Sequence, residues 1–202
     1  MEITRINTYS DPRFSRAALM QHGCYLADGK PYEVEIVAPR EAIIRGPSPE
    51  AYPAIAEEFR FYAPEVCRFF SESGACAAAF PEDPLLELSL DQIQPSQFYV
   101  DEEKLRAVGS FLRRPEDVIV QVLPYEGRYL ALDGHTRLFY AARQGWATVL
   151  ALIQSSDEYI FSFSQEARKR GIRVPADLVL LSHEEYREKW DGYCSAFFAG
   201  RE

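Results

Sequence analysis

The stretch Tyr129-Leu-Ala-Leu-Asp-Gly-His-Thr-Arg137, continuing as Leu138-Phe-Tyr-Ala-Ala-Arg-Gln-Gly145, holds a whole strand-to-helix junction. An apolar strand ends at Asp133, the chain turns on Gly134, and an amphipathic helix runs from His135 to Gln144 until Gly145 closes it. The junction places a flexible backbone, an imidazole and a guanidinium where a helix starts. The free N–H groups and the dipole of a helix N-terminus favour anions. The pattern therefore points to a phosphate, carried by a nucleotide.

Working outward, the regular alternation of elements continues on both sides. Leu85–Leu90 reads as a strand, and Asp101 caps a helix with acids in its first turn, Arg113 and Arg114 in its last, and Pro115 as its stop. Leu105, Val108 and Leu112 form its apolar stripe. Val118–Leu123 is a strand that Tyr125-Glu-Gly-Arg128 folds back into the strand leading to Asp133, and Thr148–Ile153 follows the central helix. Asp157–Arg170 is helical and ends at Gly171. Ser182 and Glu185 make a capping box for a last helix, along which Tyr186, Trp190, Tyr193 and Phe197 recur at helical spacing. That aromatic stripe packs on the chain's own core or forms a homodimer interface.

Upstream, Phe80-Pro-Glu-Asp-Pro84 breaks the chain. Before it, Gly23–Ala27 and Tyr32–Val37 flank Asp28-Gly29 as a β-hairpin, and Ala42–Arg45 adds a third strand. Ser48 caps a helix towards Phe61 with Pro49 at its first position. A short helix over Pro64–Phe70 and a strand over Cys76–Phe80 complete this part. The expected domains are an α+β module over residues 1–84, a mixed-sheet domain over 85–155 and helices over 156–202 that pack on it.

Composition narrows the function classes. The 202 residues carry 22 basic and 31 acidic side chains, a net charge of −9, with 47% hydrophobic residues. The part before Leu85 holds 8 of the basic and 13 of the acidic residues, leaving 14 and 18 for the rest. Neither part has the basic surface that DNA binding requires, so DNA is an unfavoured partner. No apolar run reaches the roughly 20 residues of a membrane helix, and no signal core stands at the start, so a cytoplasmic protein without membrane contact is expected. Cys24, Cys67, Cys76 and Cys194 show no C-x-x-C pairing and are read as buried reduced thiols rather than a metal site. His183-Glu184 has Arg187 four positions after the histidine, so the zinc-protease pattern fails and a solvated helix start is expected.

From Leu85 to Ile153, the order strand, Pro95-containing loop, helix, strand, strand, Asp133-Gly-His-Thr-Arg137, helix, strand resembles the ParB/sulfiredoxin fold. The resemblance implies an α+β domain with a phosphate-reading turn at Gly134–Arg137. Sulfiredoxins carry an essential Cys in this turn, and His135 stands in that slot, which removes sulfiredoxin chemistry. Lys104 matches a sulfiredoxin lysine that contacts nucleotide phosphate. ParB domains have a more basic turn and an appended helix-turn-helix, and neither is present. The small-molecule kinase branch, typified by free-serine kinase, carries Asp-Gly-His-His-Arg, from which this turn departs at Thr136 alone.

That branch implies ATP or ADP with Mg²⁺, and a small hydroxyl-bearing metabolite as acceptor. Asp133 and His135 are then the catalytic candidates, with Gly134, His135, Thr136, Arg137 and Lys104 on the phosphates and Ser96 and Gln97 in the substrate loop. The kinases place a basic Glu where Gln97 stands, and Gln does not accept a proton as a carboxylate does. Glu103 and Glu126 are the candidate substitutes. Two functions stay open on these residues: phosphate transfer, or a non-catalytic module that senses a nucleotide or phosphometabolite.

Overall fold

The computed structural model describes residues 1–200, and the chain divides into two compact units, Met1–Pro84 and the part from Leu85 onward. Both are mixed α+β, the first on a six-stranded sheet and the second on a five-stranded one.

The first unit is built largely from neighbours in sequence. Strands β1 (Ile3–Ile6), β2 (Cys24–Ala27), β3 (Lys30–Ala38), β4 (Glu41–Arg45), β5 (Arg68–Ser71) and β6 (Cys76–Ala79) lie in chain order across the sheet. All adjacent pairs are antiparallel except β4 and β5. The β2–β3 hairpin turns on Asp28 and Gly29, both at positive φ (47° and 76°), the backbone a two-residue primed turn requires. Side chains alternate across the strand: Tyr25 and Ala27 join the core formed with α2 (Tyr52–Arg60), where Ile44, Ile55, Phe59 and Phe69 meet. Cys24 and Leu26 face the opposite way, towards Phe14, Ala18 and Leu19 of and before α1 (Arg16–Met20).

Two expectations fail in this unit. Ser48 does not cap a helix: its hydroxyl is held by the Glu50 carboxylate, and a 3-10 turn over Pro49–Ala51 precedes α2. Pro64–Phe70 is not helical. Its second half is β5, because Phe69 fills the core beside Phe59 while the backbone bonds to β4 on one side and β6 on the other.

The second unit depends on distant partners. Strands β7 (Leu85–Ser89), β8 (Ile93–Gln94), β10 (Ile119–Tyr125), β11 (Arg128–Ala131) and β12 (Thr148–Ile153) form a sheet in the order β7-β12-β10-β11-β8. The β12–β10 and β11–β8 pairs are parallel and the other two antiparallel. A separate parallel pair joins β9 (Tyr99–Asp101) to β13 (Val179–Leu181). The helix after β9, α3 (Glu102–Val108), stops at Gly109, short of the expected Arg113; that arginine instead folds its guanidinium onto the carbonyls of Gly109 and Ser110.

The helix α4 (His135–Arg143) is the hub. Leu138 and Ala141 pack on the sheet with Val120, Val122 and Val149, while Phe139 joins Phe98, Val100, Ala167 and Ile172 on another face. Burying each large apolar side chain here is worth about 1.5–3 kcal/mol, so the helix start is held rigidly. The chain then runs through α5 (Tyr159–Lys169), α6 (His183–Tyr186), a π turn over Arg187–Asp191, and α7 (Gly192–Ala199). Ser182 and Glu185 make the expected capping box, and Trp190 and Tyr193 pack on the Phe98 cluster. The four cysteines are free; Cys24 and Cys67 are buried as expected, whereas Cys76 is exposed and Cys194 half-buried. Among the described residues, no helix is long and apolar enough to cross a membrane.

Candidate functional site

The β11 strand ends at Ala131, and Gly134 takes φ 82° and ψ 18° before the first helical bond, from Leu138 N to Gly134 O at 2.9 Å. The N–H groups ahead of that bond have no intrahelical acceptor. Glycine is required twice over. Its φ is one that L side chains rarely adopt, and a Cβ here would lie 2.7 Å from Val120 Cγ1 and 3.2 Å from Arg137 Nε. The second distance shows that the Arg137 guanidinium folds back over the turn. Its Nη2 meets Asp133 Oδ2 at 3.2 Å, with 59% of the Asp133 side chain exposed against 20% for Arg137. Asp133 thus pairs with Arg137 instead of capping the helix, whose N-cap is Gly134 with no side-chain cap bond. Thr136 is half-buried in the first turn.

His135 differs most from its expected place on the phosphates. It is only 6% exposed, and its Nε2 accepts the backbone N–H groups of Ser96 (3.1 Å) and Gln97 (3.2 Å). The Ser96 hydroxyl lies 3.2 Å from the same nitrogen and donates to Ala131 O at 2.7 Å. Two N–H donors on Nε2 place the ring proton on Nδ1. Burial drives the imidazole's pKa down to about 4; the Asp133 charge opposes the shift and Arg137 reinforces it. A neutral acceptor is what remains at pH 7. The histidine ties the Pro95–Gln97 loop to the start of α4.

The other candidates do not converge on the turn. The Gln97 amide nitrogen donates to Tyr99 O and, at 2.9 Å, to the hydroxyl of Tyr186. Lys104 Nζ sits 4.7 Å from the centre of the same tyrosine ring. Tyr186 is buried, which raises its pKa. Glu126 forms the tip of the β10–β11 hairpin and pairs with Arg168 at 2.7 Å, which holds its carboxyl below the ordinary range. It lies at the far end of β11 from Asp133, about 13 Å along a four-residue strand, and so cannot stand in for a loop Glu. Glu103 faces the other way, with its carboxylate 3.6 Å from His183 Nδ1.

That contact belongs to a group that the sequence reading missed. Asp101 is 1% exposed; its Oδ1 accepts the Glu103 N–H as the α3 cap, and its Oδ2 accepts His183 Nδ1–H at 2.8 Å. His183 is therefore no merely solvated helix start, but an imidazole oriented by a buried carboxylate. The two residues are 82 positions apart, and no local pattern joins them. Among the described residues, no group of three or more His, Cys, Asp and Glu is placed to hold a metal.

Neither a family model nor a curated protein matches the chain. Solved structures similar to part of it include the following two. Protein Atu1540 from Agrobacterium tumefaciens is 16% identical with a TM-score of 0.35, over 48% of this chain and 62% of that one. Sulfiredoxin from Arabidopsis thaliana is 19% identical with a TM-score of 0.32, over 41% of this chain and 98% of that one. Likenesses this partial leave the site to be read from its own residues.

Proposed function

We propose that the unit beginning at Leu85 binds the phosphate of a nucleotide or phosphorylated metabolite at the Asp133–Arg137 turn, and that it does so as a sensing module. The observation that carries this reading is the guanidinium of Arg137 folded over a left-handed Gly134 at the start of a nine-residue helix. The positive charge of Arg137 and the positive end of the α4 dipole, which no side chain caps, meet at one place, and that is the chemistry a phosphate selects. Asp133 keeps Arg137 in position until an anion competes for it.

Sensing is favoured over catalysis by what the nearby groups are already doing. His135 is neutral at pH 7 and spends the lone pair of Nε2 on two loop amides, so it serves neither as a general acid nor as a general base. Gln97 is no base, and its amide is committed to Tyr99 and Tyr186. The second reading, phosphate transfer from ATP or ADP to a small hydroxyl compound, is kept by one residue. A phosphate that captures Arg137 would release the exposed Asp133 carboxylate, which could then orient a hydroxyl. A single carboxylate suits a Mg²⁺ that arrives on the nucleotide's phosphates, not a resident ion.

Calorimetry with ATP, ADP and CTP on the wild type and on Arg137→Ala tests both readings. Binding by the wild type, weakened at least tenfold in the variant, supports the phosphate site, and no binding by the wild type removes it. Turnover across a panel of hydroxyl-bearing metabolites would transfer the preference to the kinase reading.

A further inference from the structure

The turn is connected to the C-terminal part of the chain by an unbroken series of contacts. His135 holds the amides of Ser96 and Gln97. The Gln97 side chain then donates to the Tyr186 hydroxyl, and Lys104 covers the ring of that tyrosine. Just before Tyr186, the buried Asp101 accepts the His183 N–H. Before that again, β13 lies parallel to β9, with Val179 beside Tyr99 and Leu181 beside Asp101.

The segment is held down lightly. Between Val179 and Lys189, only Leu181 and Tyr186 are buried, while Val179 and Leu180 are exposed at 44% and 37%. Segments with few buried apolar contacts open locally at a small fraction of the cost of global unfolding. The loop side is different, since Ser96 and Phe98 are only 3% and 1% exposed. A weakly held strand and helix start are therefore pinned to a well-packed loop by directional bonds.

We infer that Val179–Tyr186 is a latch: docked on β9 and α3, it holds the Ser96–Gln97 loop against His135 and so sets the shape of the Asp133–Arg137 turn. Release of the segment lets the loop amides leave the imidazole, and ordering of the turn tightens the segment in return. The consequence for ligand affinity rests on the phosphate reading above; the mechanical link does not. It identifies the C-terminal segment as the output of the sensor.

The test uses the full chain with Tyr186→Phe, which removes the acceptor hydroxyl and keeps the ring beneath Lys104. Residue-resolved hydrogen exchange is expected to quicken about tenfold at the Ser96 and Gln97 amides, with the core amide of Val120 unchanged. His183→Gln, at a half-exposed position that tolerates replacement, should act in the same direction. Coupling is reciprocal, so His135→Gln should quicken exchange at Val179, whose N–H donates to Phe98 O at 3.1 Å. Wild-type rates at Ser96 and Gln97 in both C-terminal variants would overturn the latch. An equal rise at Val120 would overturn it too, because it would mark global destabilisation. Titration with inorganic pyrophosphate separates the two ideas. A wild type that ignores pyrophosphate ends the phosphate reading while the exchange rates still decide the latch, and an affinity about fivefold weaker in Tyr186→Phe supports both.

Discussion

Two helices of the second unit begin with a histidine, and the two helix starts use the same side chain in opposite ways. At the start of α4, His135 is enclosed, uncharged and an acceptor; its Nε2 gathers two backbone N–H groups from a loop 38 and 39 residues away. At the start of α6, His183 is half-exposed and a donor; its Nδ1–H points at the buried carboxylate of Asp101. The first histidine holds a loop in place through its lone pair, and the second holds a helix through its proton. The difference comes from what each imidazole meets: peptide donors in one case, a carboxylate in the other.

Four perturbations test this contrast, and the largest acts on the turn that positions His135. Gly134→Ala combines a left-handed backbone with a Cβ driven into Val120; strain and overpacking together should cost about 3–4 kcal/mol, measured by urea unfolding. Acid should come next. The folded pKa of His135 is depressed from 6.5 to about 4 by burial, so the unfolded chain binds the proton more readily between those values. The stabilisation is complete above about pH 6.5 and is lost as pH falls towards 4, on the order of 3 kcal/mol. Unfolding midpoints measured across that window should show the slope in the wild type and in His183→Gln but not in His135→Gln.

His183→Ala should cost less, about 1 kcal/mol, because water reaches the half-exposed site and the Glu103 N–H still serves Asp101. A cost equal to that of His135→Ala would erase the distinction between the two starts. Lys104→Ala comes last, at about 0.5 kcal/mol for an outer cation–π contact. A thermal shift larger than that of His183→Ala would mean that Lys104 does more than cover Tyr186.

The parts of this architecture that could be read in advance are those whose causes are local. Asp28-Gly29 and Glu126-Gly127 announce hairpins because two adjacent residues adopt positive φ. Gly134 and Gly145 bracket α4, and the apolar positions between them match its buried face. Two of the elements that escaped are set by distant pairing: β8 against β11, and β9 against β13 across about 80 residues of chain. The same holds at the site. The turn itself was legible, whereas the environment of its histidine was not, because the loop that encloses His135 lies far upstream. Arg137 was read as a phosphate contact, and its pairing with Asp133 came from the structure; Tyr186 looked like any core aromatic, because the Gln97 that reaches its hydroxyl lies 89 residues away.

The parallel pairing of β9 with β13 has a practical consequence for anyone shortening this chain. Removing everything from Val179 onward would strip β9 of its partner strand β13 and empty the places of Leu181 and Tyr186. What remained would be an open row of backbone donors and acceptors beside uncovered apolar surface, a template for self-association. The segment from Val179 to Tyr186 therefore works as a guard against aggregation, and a stop codon placed for convenience in the 170s should yield a protein that expresses poorly and pairs with itself.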